Sequence, residues 1–384
     1  PVAVAVDGRS DVYVADSASD RVLRATVFNE DGSSRGDTEE PRPIGDPWTP
    51  TGEPQHMAKP AYVTFDAQGK LWVSDSGNHR VLVFAKDPDG ALTADASTGA
   101  PLTGMDDPAG IAIDPEGAVF IVDSATHRVV KFSGSPLTRE AASLGTGTAG
   151  SGDDQFDTPR GIAIAQRVEP HLYIADRGNN RVQVVRRDGT LVRSLALPSG
   201  DAFNGPEDVA VDSRGNVFVA DTGSRRIVQF DSSDTFVRQF NVPNPDLPSS
   251  VASEPCGIFV DDEDKLIVTD RGRNRVLRLE ADDQDRVARI LDVVLQVMEN
   301  APVLAHPRGA DDHDGLFDKV ELLGALHLTD VGEAGKAKGV AGLGLFQIGA
   351  HLVIIAFGMQ PKDLGHIHRQ RAIHIYGEVG QALY

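Results

Sequence analysis

Short runs of apolar and β-branched residues recur along residues 1 to about 295, and polar turns separate them. The clearest unit reads PAGIAIDPEGAVFIVD from Pro108, with an apolar stretch, a polar turn that carries Gly117 and a second apolar stretch that ends at Asp123. Runs of this kind, bounded by Gly, Pro and Asp, predict two strands joined by a turn. A third run follows Arg128 and a weaker fourth run follows another turn. Each unit is therefore predicted to be a four-stranded sheet.

This unit is repeated along the chain. Its copies begin at about Pro1, Pro60, Pro108, Pro159, Pro206 and Pro255. In each copy an Asp is followed five residues later by an Arg, and these Asp residues lie 45 to 59 positions apart. A period of this size is typical of repeat architectures. Because one thin sheet cannot bury its own apolar faces, several must pack together around an axis. The predicted fold class is all-β, a six-bladed β-propeller of four-stranded antiparallel blades.

The repeated acid–base pairs favour a structural role, because catalysis needs one constellation and not six. The pairs are Asp16/Arg21, Asp75/Arg80, Asp123/Arg128, Asp176/Arg181, Asp221/Arg226 and Asp270/Arg275. We expect each Arg to satisfy an Asp carboxylate at a blade corner, either in its own blade or in the next, through a charge-assisted hydrogen bond.

The repeats resemble the NHL repeat, whose pattern is P-x-G-[VI]-A-[VI]-D, then G-x-[VL]-[YFW]-[VI]-[AVS]-D, then x-[GA]-N-x-R-[VI]. Two units depart from this pattern: Ser19-Asp20 replaces the Asn-containing loop of the first unit, and Ala165 replaces the first Asp of the fourth. The resemblance implies a six-bladed propeller. It also implies that the P-x-x segment and the D-x-G-N-x-R loop share one rim, the binding face.

Residues that follow each repeat's Pro are predicted to point toward the mouth of the central channel. A relative of this family, the peptide-amidating lyase, holds zinc with His at these positions, and none occurs here. Arg residues cluster instead on the half of the rim that units 4 to 6 supply. Such guanidiniums could hold a carboxylate- or phosphate-bearing partner. The alternative is solvated charge, partly neutralised by Glu207 and Asp208. The predicted ligand-binding residues are Tyr62, Arg160, Arg177, Glu207, Asp208, Arg225, Cys256, Arg271 and Arg273.

Other candidates for chemistry have simpler interpretations. Neighbouring strand residues point to opposite faces, so we expect that Glu207 and Asp208 cannot easily share one proton or one metal. Cys256 is a conceivable nucleophile, but an inert small residue is favoured because no His stands at an equivalent inner position. His79 and His127 precede the repeat Arg, where a solvated or Asn-like turn role is favoured over metal ligation.

Charge and composition narrow the range of partners. A net charge of -20 and a pI near 4.9 argue against nucleic-acid or anionic-membrane binding, which need a positive surface. The single cysteine excludes an internal disulfide framework. We expect that the natural N-terminus precedes Pro1. Secreted, periplasmic and cytoplasmic locations all stay open, because a signal peptide could have stood there.

Several segments lie outside the repeat pattern. A Pro-, Glu- and Asp-rich insertion between Arg35 and Lys59 predicts an exposed loop, and Gly145–Asp157 predicts a similar link between blades 3 and 4. The sixth unit has its own fourth strand around Val287–Leu291, so we expect blade 6 to meet blade 1 without strand exchange.

The predicted propeller domain covers residues 1–298, and a Gly- and His-rich tail covers 299–384. Disorder of the tail or a shifted reading frame would explain why the repeat pattern stops at this boundary. Within the tail, Val340–Met359 lacks Asp, Glu, Lys and Arg and is long enough to cross a bilayer. A buried hairpin or helix is favoured over a spanning helix, and a poorly ordered tail over both. His366, His368 and His374 suggest a metal site, but chance clustering explains them better.

The sequence therefore favours a non-catalytic scaffold without cofactor or metal. We expect it to bind a protein or peptide, or an anionic small molecule, through the rim that carries the P-x-x and D-x-x-x-x-R loops. The alternative is a propeller enzyme of the lyase or lactonase kind with a metal in the central channel. That alternative requires three or more inward His, Asp, Glu or Asn side chains from separate blades. A third possibility is a sensor ectodomain anchored through Val340–Met359.

Overall fold

The computed structural model describes residues 1–8, 11–26, 42–44, 56–86, 92–95, 101–165, 169–242, 252–280, 289–296, 342–348, 351–357, 375–376 and 382–383. By its internal contacts the chain divides into two units, Pro1–Val303 and Leu304–Tyr384. The first unit contains every blade that the repeats predict.

The first three blades follow the chain in order. Blade 1 contains β1 (Ala3–Val6), β2 (Asp11–Asp16), β3 (Arg21–Thr26) and β4 (Arg42–Ile44). Blade 2 contains β5 (Pro60–Phe65), β6 (Leu71–Asp75), β7 (Arg80–Lys86) and β8 (Leu92–Ala94). Blade 3 contains β9 (Pro108–Ile113), β10 (Val119–Asp123), β11 (Arg128–Ser133) and β12 (Thr138–Leu144).

The last three blades repeat this order. Blade 4 contains β13 (Ile162–Ala165), β14 (His171–Asp176), β15 (Arg181–Arg186) and β16 (Leu191–Ser194). Blade 5 contains β17 (Pro206–Val211), β18 (Val217–Asp221), β19 (Arg226–Phe230) and β20 (Phe236–Asn241). Blade 6 contains β21 (Pro255–Val260), β22 (Leu266–Asp270), β23 (Arg275–Glu280) and β24 (Arg289–Gln296).

The described strands close into a ring of six antiparallel blades, which confirms the predicted fold class. The first strand of each blade contacts the first strand of the next, and β21 returns to contact β1. Blade 6 completes its own sheet with β24, so the ring closes without strand exchange, as expected. At this seam the Thr269 hydroxyl donates to the Val2 carbonyl at 3.5 Å.

The hydrophobic core is divided among the interfaces between blades. Each of six buried clusters joins two neighbouring blades. Along β2, Tyr13 and Ala15 pack toward blade 2, whereas Val12 and Val14 pack toward blade 6. Both faces of the sheet are thus buried, which explains why the second strands read as continuous apolar runs without polar alternation.

Each Asp–Arg pair lies within a single blade. The Nε of Arg80 donates to Oδ2 of Asp75 at 2.7 Å, while Oδ1 of the same carboxylate accepts the N–H of Ala58 at 2.6 Å. Blades 3 to 6 repeat this division between an Arg and the backbone of the incoming loop. The shortest N–O separations are 3.1 Å for Asp16–Arg21, 3.5 Å for Asp123–Arg128, 2.7 Å for Asp176–Arg181, 2.7 Å for Asp221–Arg226 and 3.0 Å for Asp270–Arg275.

A single turn of 3-10 helix joins the second and third strands of each blade, and the residue before the Arg is left-handed. These residues are Asp20, His79, His127, Asn180, Arg225 and Asn274, with φ between 47° and 59°. Asx-type and His side chains tolerate this conformation best. In four blades the side chain also bonds the backbone of the loop that enters the next blade, as His127 Nδ1 does with the N–H of Thr158 at 3.0 Å. The contacts of His79 and His127 therefore support a turn role.

Two segments predicted as plain loops contribute to the sheets or the core. The insertion between Arg35 and Lys59 supplies β4, although most of its residues, Trp48 among them, lie outside the described residues. In the 145–157 link, Phe156 is only 2% exposed and packs between blades 3 and 4. The first segment pairs with the third strand of its own blade, and the second contributes to the interface between the two blades that it joins.

The second unit, Leu304–Tyr384, contains two antiparallel hairpins among its described residues. Gly342–Ile348 pairs with His351–Phe357, and Ile375–Tyr376 pairs with Ala382–Leu383. The first hairpin falls within Val340–Met359. In the described part of the chain no helix is long and apolar enough to cross a membrane. His366, His368 and His374 lie outside the described residues.

Removing one corner carboxylate should strongly destabilise the propeller. Asp176→Ala leaves the mostly buried Arg181 without its charge partner and frees the N–H of Asp157. We expect a loss of roughly 3–5 kcal/mol in the free energy of unfolding, measured by urea titration. The control is Glu169→Ala, which breaks an exposed pair with Arg186 in the same blade and should cost less than about 1 kcal/mol. Equal losses for the two variants would contradict a structural role for the corner pair.

Candidate functional site

A cavity of about 330 Å³ opens at one end of the central channel. Its lining comes from the start of the inner strands and from the position directly after the corner Asp, and every blade contributes. The lining residues are Val2, Ser17, Ala61, Tyr62, Ala109, Gly110, Arg160, Gly161, Arg177, Glu207, Asp208, Cys256 and Arg271. We call this cavity the channel mouth.

Glycines at the second position after Pro allow the inner strands to converge around the channel mouth. A Cβ on Gly161 would lie 2.2 Å from Oδ1 of Asp208, and a Cβ on Gly257 would lie 2.7 Å from the Val2 carbonyl oxygen. Blades 2 and 5, on opposite sides of the ring, carry Tyr62 and Asp208 at this position instead. These two side chains meet across the channel, where the Tyr62 hydroxyl donates to Asp208 Oδ1 over a long 3.4 Å.

Asp208 is a buried carboxyl group with only 3% of its surface exposed. Its Oδ2 accepts the N–H of Ile258 and its Oδ1 accepts the N–H of Val209, both at 2.9 Å. Burial raises the pKa of Asp208 to about 7, and the charge of Glu207 acts in the same direction, although these N–H donors oppose it. Burial and the Asp208 charge also raise the pKa of Tyr62 well above its usual value.

Glu207 lies between two guanidiniums from the neighbouring blades. Its carboxylate accepts two hydrogen bonds from Arg271 of blade 6, at 2.9 and 3.2 Å, in the fork geometry that Arg favours. The Nε of Arg177 in blade 4 lies 3.5 Å from Oε1 of the same carboxylate. Arg271 also reaches Glu254 at 3.3 Å. The charge of these two Arg residues is therefore partly neutralised.

Glu207 and Asp208 both line the channel mouth, although neighbours on a regular strand point to opposite faces. The cause is a shift in strand register between Pro206 and Asp208, which interrupts the regular alternation of side chains. The same shift occurs after Pro60 and Pro255. The alternation rule therefore fails at the start of these inner strands.

The remaining Arg residues have different surroundings. Arg160 is 40% exposed and lies 3.7 Å from Asp107, and Arg177 is 46% exposed. Arg273 lies 3.4 Å from the corner carboxylate Asp270 and is 7% exposed. Arg225 is exposed on its loop, and neither it nor Arg273 lines the channel mouth. The structure thus brings together seven of the nine predicted ligand-binding residues.

Cys256 is buried at the seam between blades 6 and 1. Its Sγ lies 3.2 Å from the Thr269 hydroxyl, and burial raises the pKa of the thiol to about 11. The thiol form therefore dominates at neutral pH, which favours the inert role over the nucleophilic one.

Sequence reasoning missed Ser17 in the channel mouth. It follows the corner Asp16, the position that Arg177 and Arg271 occupy in their own blades, and this shared register was the signal that could have found it. In blades 3 and 5 the same position holds Ser124 and Thr222, which bond carbonyl groups of the next blade.

The acidic groups of the channel mouth have little capacity left for a metal ion. Both oxygens of Glu207 accept hydrogen bonds from Arg271, and both oxygens of Asp208 accept backbone N–H groups. Among the described residues, no group of three or more His, Cys, Asp or Glu side chains is placed to hold a metal.

The ring of described blades defines a six-bladed β-propeller protein. A model of the NHL repeat matches residues 57–84, 105–132 and 203–230, which lie in blades 2, 3 and 5. The chain therefore carries NHL repeats in these three blades.

Solved structures share the fold at low identity. A protein from Lactobacillus plantarum is 14% identical, with a TM-score of 0.52 over 77% of this chain and 85% of that chain. A chain in a nidogen/laminin complex is 16% identical, with a TM-score of 0.51 over 70% and 89%. A putative 6-phosphogluconolactonase from Bacteroides uniformis is 15% identical, with a TM-score of 0.50 over 77% and 85%. Likeness at this level shows the fold alone.

The raised pKa of Asp208 predicts a specific dependence of stability on pH. The native state holds this proton more tightly than the unfolded state, so the stability it confers is complete below pH about 4 and is lost as the pH rises through about 7. Asp208→Asn should remove this component, whose slope is at most about 1.4 kcal/mol per pH unit. The measurement is urea unfolding at several pH values. The exposed-loop variant Asp153→Asn should retain the wild-type slope, and an unchanged slope in Asp208→Asn would contradict the assignment.

Proposed function

We propose that this protein is a non-catalytic binding scaffold that engages the acidic group of a protein or peptide at the channel mouth. The observation that carries this proposal is the meeting of Arg160, Arg177 and Arg271 in one cavity, each 39% to 46% exposed. Half-exposed guanidiniums can gain a partner without breaking the fold, and their planar fork suits carboxylates. The rest of the chain is acidic, so this cationic cluster is a local exception.

The shape of the channel mouth supports a small inserted group and not a flat interface. A volume of about 330 Å³ accommodates one or two side chains. Besides the charged residues of blades 4 to 6, the lining includes the small apolar residues Val2, Ala61 and Ala109 together with Ser17 and Tyr62. The similar chain from the nidogen/laminin complex is part of a protein assembly, which agrees with a binding role.

The test measures peptide binding to the full chain by fluorescence anisotropy, with peptides that carry Asp or Glu and matched peptides that carry Asn or Gln. Wild type should prefer the acidic peptides, and added salt should weaken binding. The double variant Arg160→Ala/Arg177→Ala should bind at least about tenfold more weakly.

The matched control is Arg186→Ala, which removes a half-exposed Arg of the same blade that does not line the channel mouth. It should leave the affinity unchanged. Equal affinity of the double variant and wild type for acidic peptides would show that the channel mouth is not the binding site.

A second candidate function is an enzyme of the lyase or lactonase kind, and Asp208 is the observation that favours it. A buried carboxyl group with a pKa of about 7, next to Tyr62 in a cavity, has the properties of a general acid or base. The metal that such propeller enzymes would place in the channel does not fit the occupied oxygens of Glu207 and Asp208. Any proton transfer would therefore rest on Asp208 itself.

The enzyme candidate is tested with a panel of lactones. If it is correct, wild type hydrolyses a lactone, and Asp208→Asn loses about 100-fold or more of the rate. The rate of wild type should fall below pH about 7 as Asp208 becomes protonated. Identical rates for wild type and Asp208→Asn on every lactone would dismiss the enzyme candidate and leave the binding scaffold.

A further inference from the structure

We infer that Glu207 is an internal ligand, and that the site it fills between Arg177 and Arg271 is a carboxylate-binding site for a short aliphatic acid group of the partner. This inference rests on the proposed binding role of the channel mouth and specifies its chemistry. Glu207 shows which atoms the site accepts: two oxygens in one plane, held by the Arg271 fork at 2.9 and 3.2 Å. Arg177 lies on the other side at 3.5 Å.

The position of Glu207 is unusual among the repeats. It is the residue directly after Pro206, and the equivalent residues of the other blades are Val2, Ala61, Ala109, Arg160 and Cys256. Blade 5 alone places a carboxylate there, between the blades that supply Arg177 and Arg271. The blade architecture needs no acid at this position, because the other blades form the same strands without one.

Both Arg residues keep surface for an incoming ligand. Arg177 is 46% exposed and Arg271 is 39% exposed, whereas Glu207 is 15% exposed between them. The corner Arg275, by comparison, is 5% exposed and is committed to Asp270. The Arg177–Arg271 site is therefore reachable from solvent, and the Glu207 carboxylate is the group that covers it.

The surrounding cavity defines the rest of the ligand. The lining that blades 1 to 3 supply includes the apolar side chains of Val2, Ala61 and Ala109 beside Ser17 and Tyr62. A carboxylate at Arg177 and Arg271 would thus place a small aliphatic group in a cavity that these apolar side chains help to line. A phosphate would match the charge of the site, but it would leave these apolar side chains without a contact.

An internal ligand competes with any external one, because its tether gives it a high effective concentration. Wild type should therefore bind a small free carboxylate weakly, and removal of the Glu207 side chain should expose the site. In Glu207→Ala, propionate should bind at least about tenfold more tightly than in wild type, since it no longer has to displace a tethered carboxylate.

The experiment titrates the purified full chain with propionate, or with its neutral analogue propionamide, at constant ionic strength, and follows the melting temperature. Glu207→Ala should show a saturable rise with propionate and none with propionamide. Adding Arg271→Gln to Glu207→Ala should abolish that rise. The control Glu169→Ala frees Arg186 in the same way on an exposed surface, and its response to propionate should equal that of wild type.

Glu207→Gln provides a second variant that keeps the side-chain volume if Glu207→Ala does not fold. It removes the charge of Glu207 beside Arg271 and leaves only that of Glu254, so propionate should stabilise it more than it stabilises wild type. The inference is overturned if propionate stabilises neither Glu207 variant beyond wild type, or if propionamide acts equally well. It is also overturned if the Arg271→Gln double variant keeps its response.

The two proposals fail in different ways. Loss of acidic-peptide binding in Arg160→Ala/Arg177→Ala, together with no propionate effect in the Glu207 variants, would keep the binding role and reject the internal ligand. A propionate effect without any peptide binding would keep the carboxylate site and reject the protein or peptide partner.

Discussion

In blades 2 to 6, one corner carboxylate joins an Arg of its own blade to the backbone of the loop that enters that blade. In blade 2, the oxygens of Asp75 divide between Arg80 of the same blade and the backbone of the incoming loop at Ala58. A buried charge of this kind is tolerated only while all its partners are present. The residue after the corner Asp enters the channel mouth in blades 1, 4 and 6. The corner ion pair of each of these blades thus helps to position a residue that lines the channel mouth.

Much of the fold could be predicted because its determinants are local. The strands, the turns and the Asp–Arg spacing recur within single repeats, and the structure shows the pairs inside their own blades. The outer strand of blade 1 could not be predicted from its own residues. Arg42–Ile44 contains a Pro and lies in a charged insertion, and such a strand is tolerable only because it pairs on one side, with β3.

The sequence predicted most of the residues that line the candidate site, but not which ion pairs they form with one another. Arg271 and Arg273 are two residues apart on one turn, yet the first binds Glu207 of another blade and the second faces Asp270 of its own. Which partner each guanidinium takes depends on the approach of neighbouring blades, and no repeat encodes that distance. The register shift between Pro206 and Asp208, which accompanies the placement of Glu207 and Asp208 in one cavity, likewise could not be predicted from the alternation of polar and apolar residues.

Because the ring closes without strand exchange, ligand binding at the channel mouth is coupled to the stability of the ring. Blades 6 and 1 adhere through side-chain packing and a few hydrogen bonds, such as that from Thr269 to Val2, and not through a shared sheet. The channel mouth spans this seam, with Val2 on one side and Arg271 on the other. A ligand that contacts both sides binds only the closed ring. Its binding free energy would therefore stabilise the seam between blades 6 and 1 against opening.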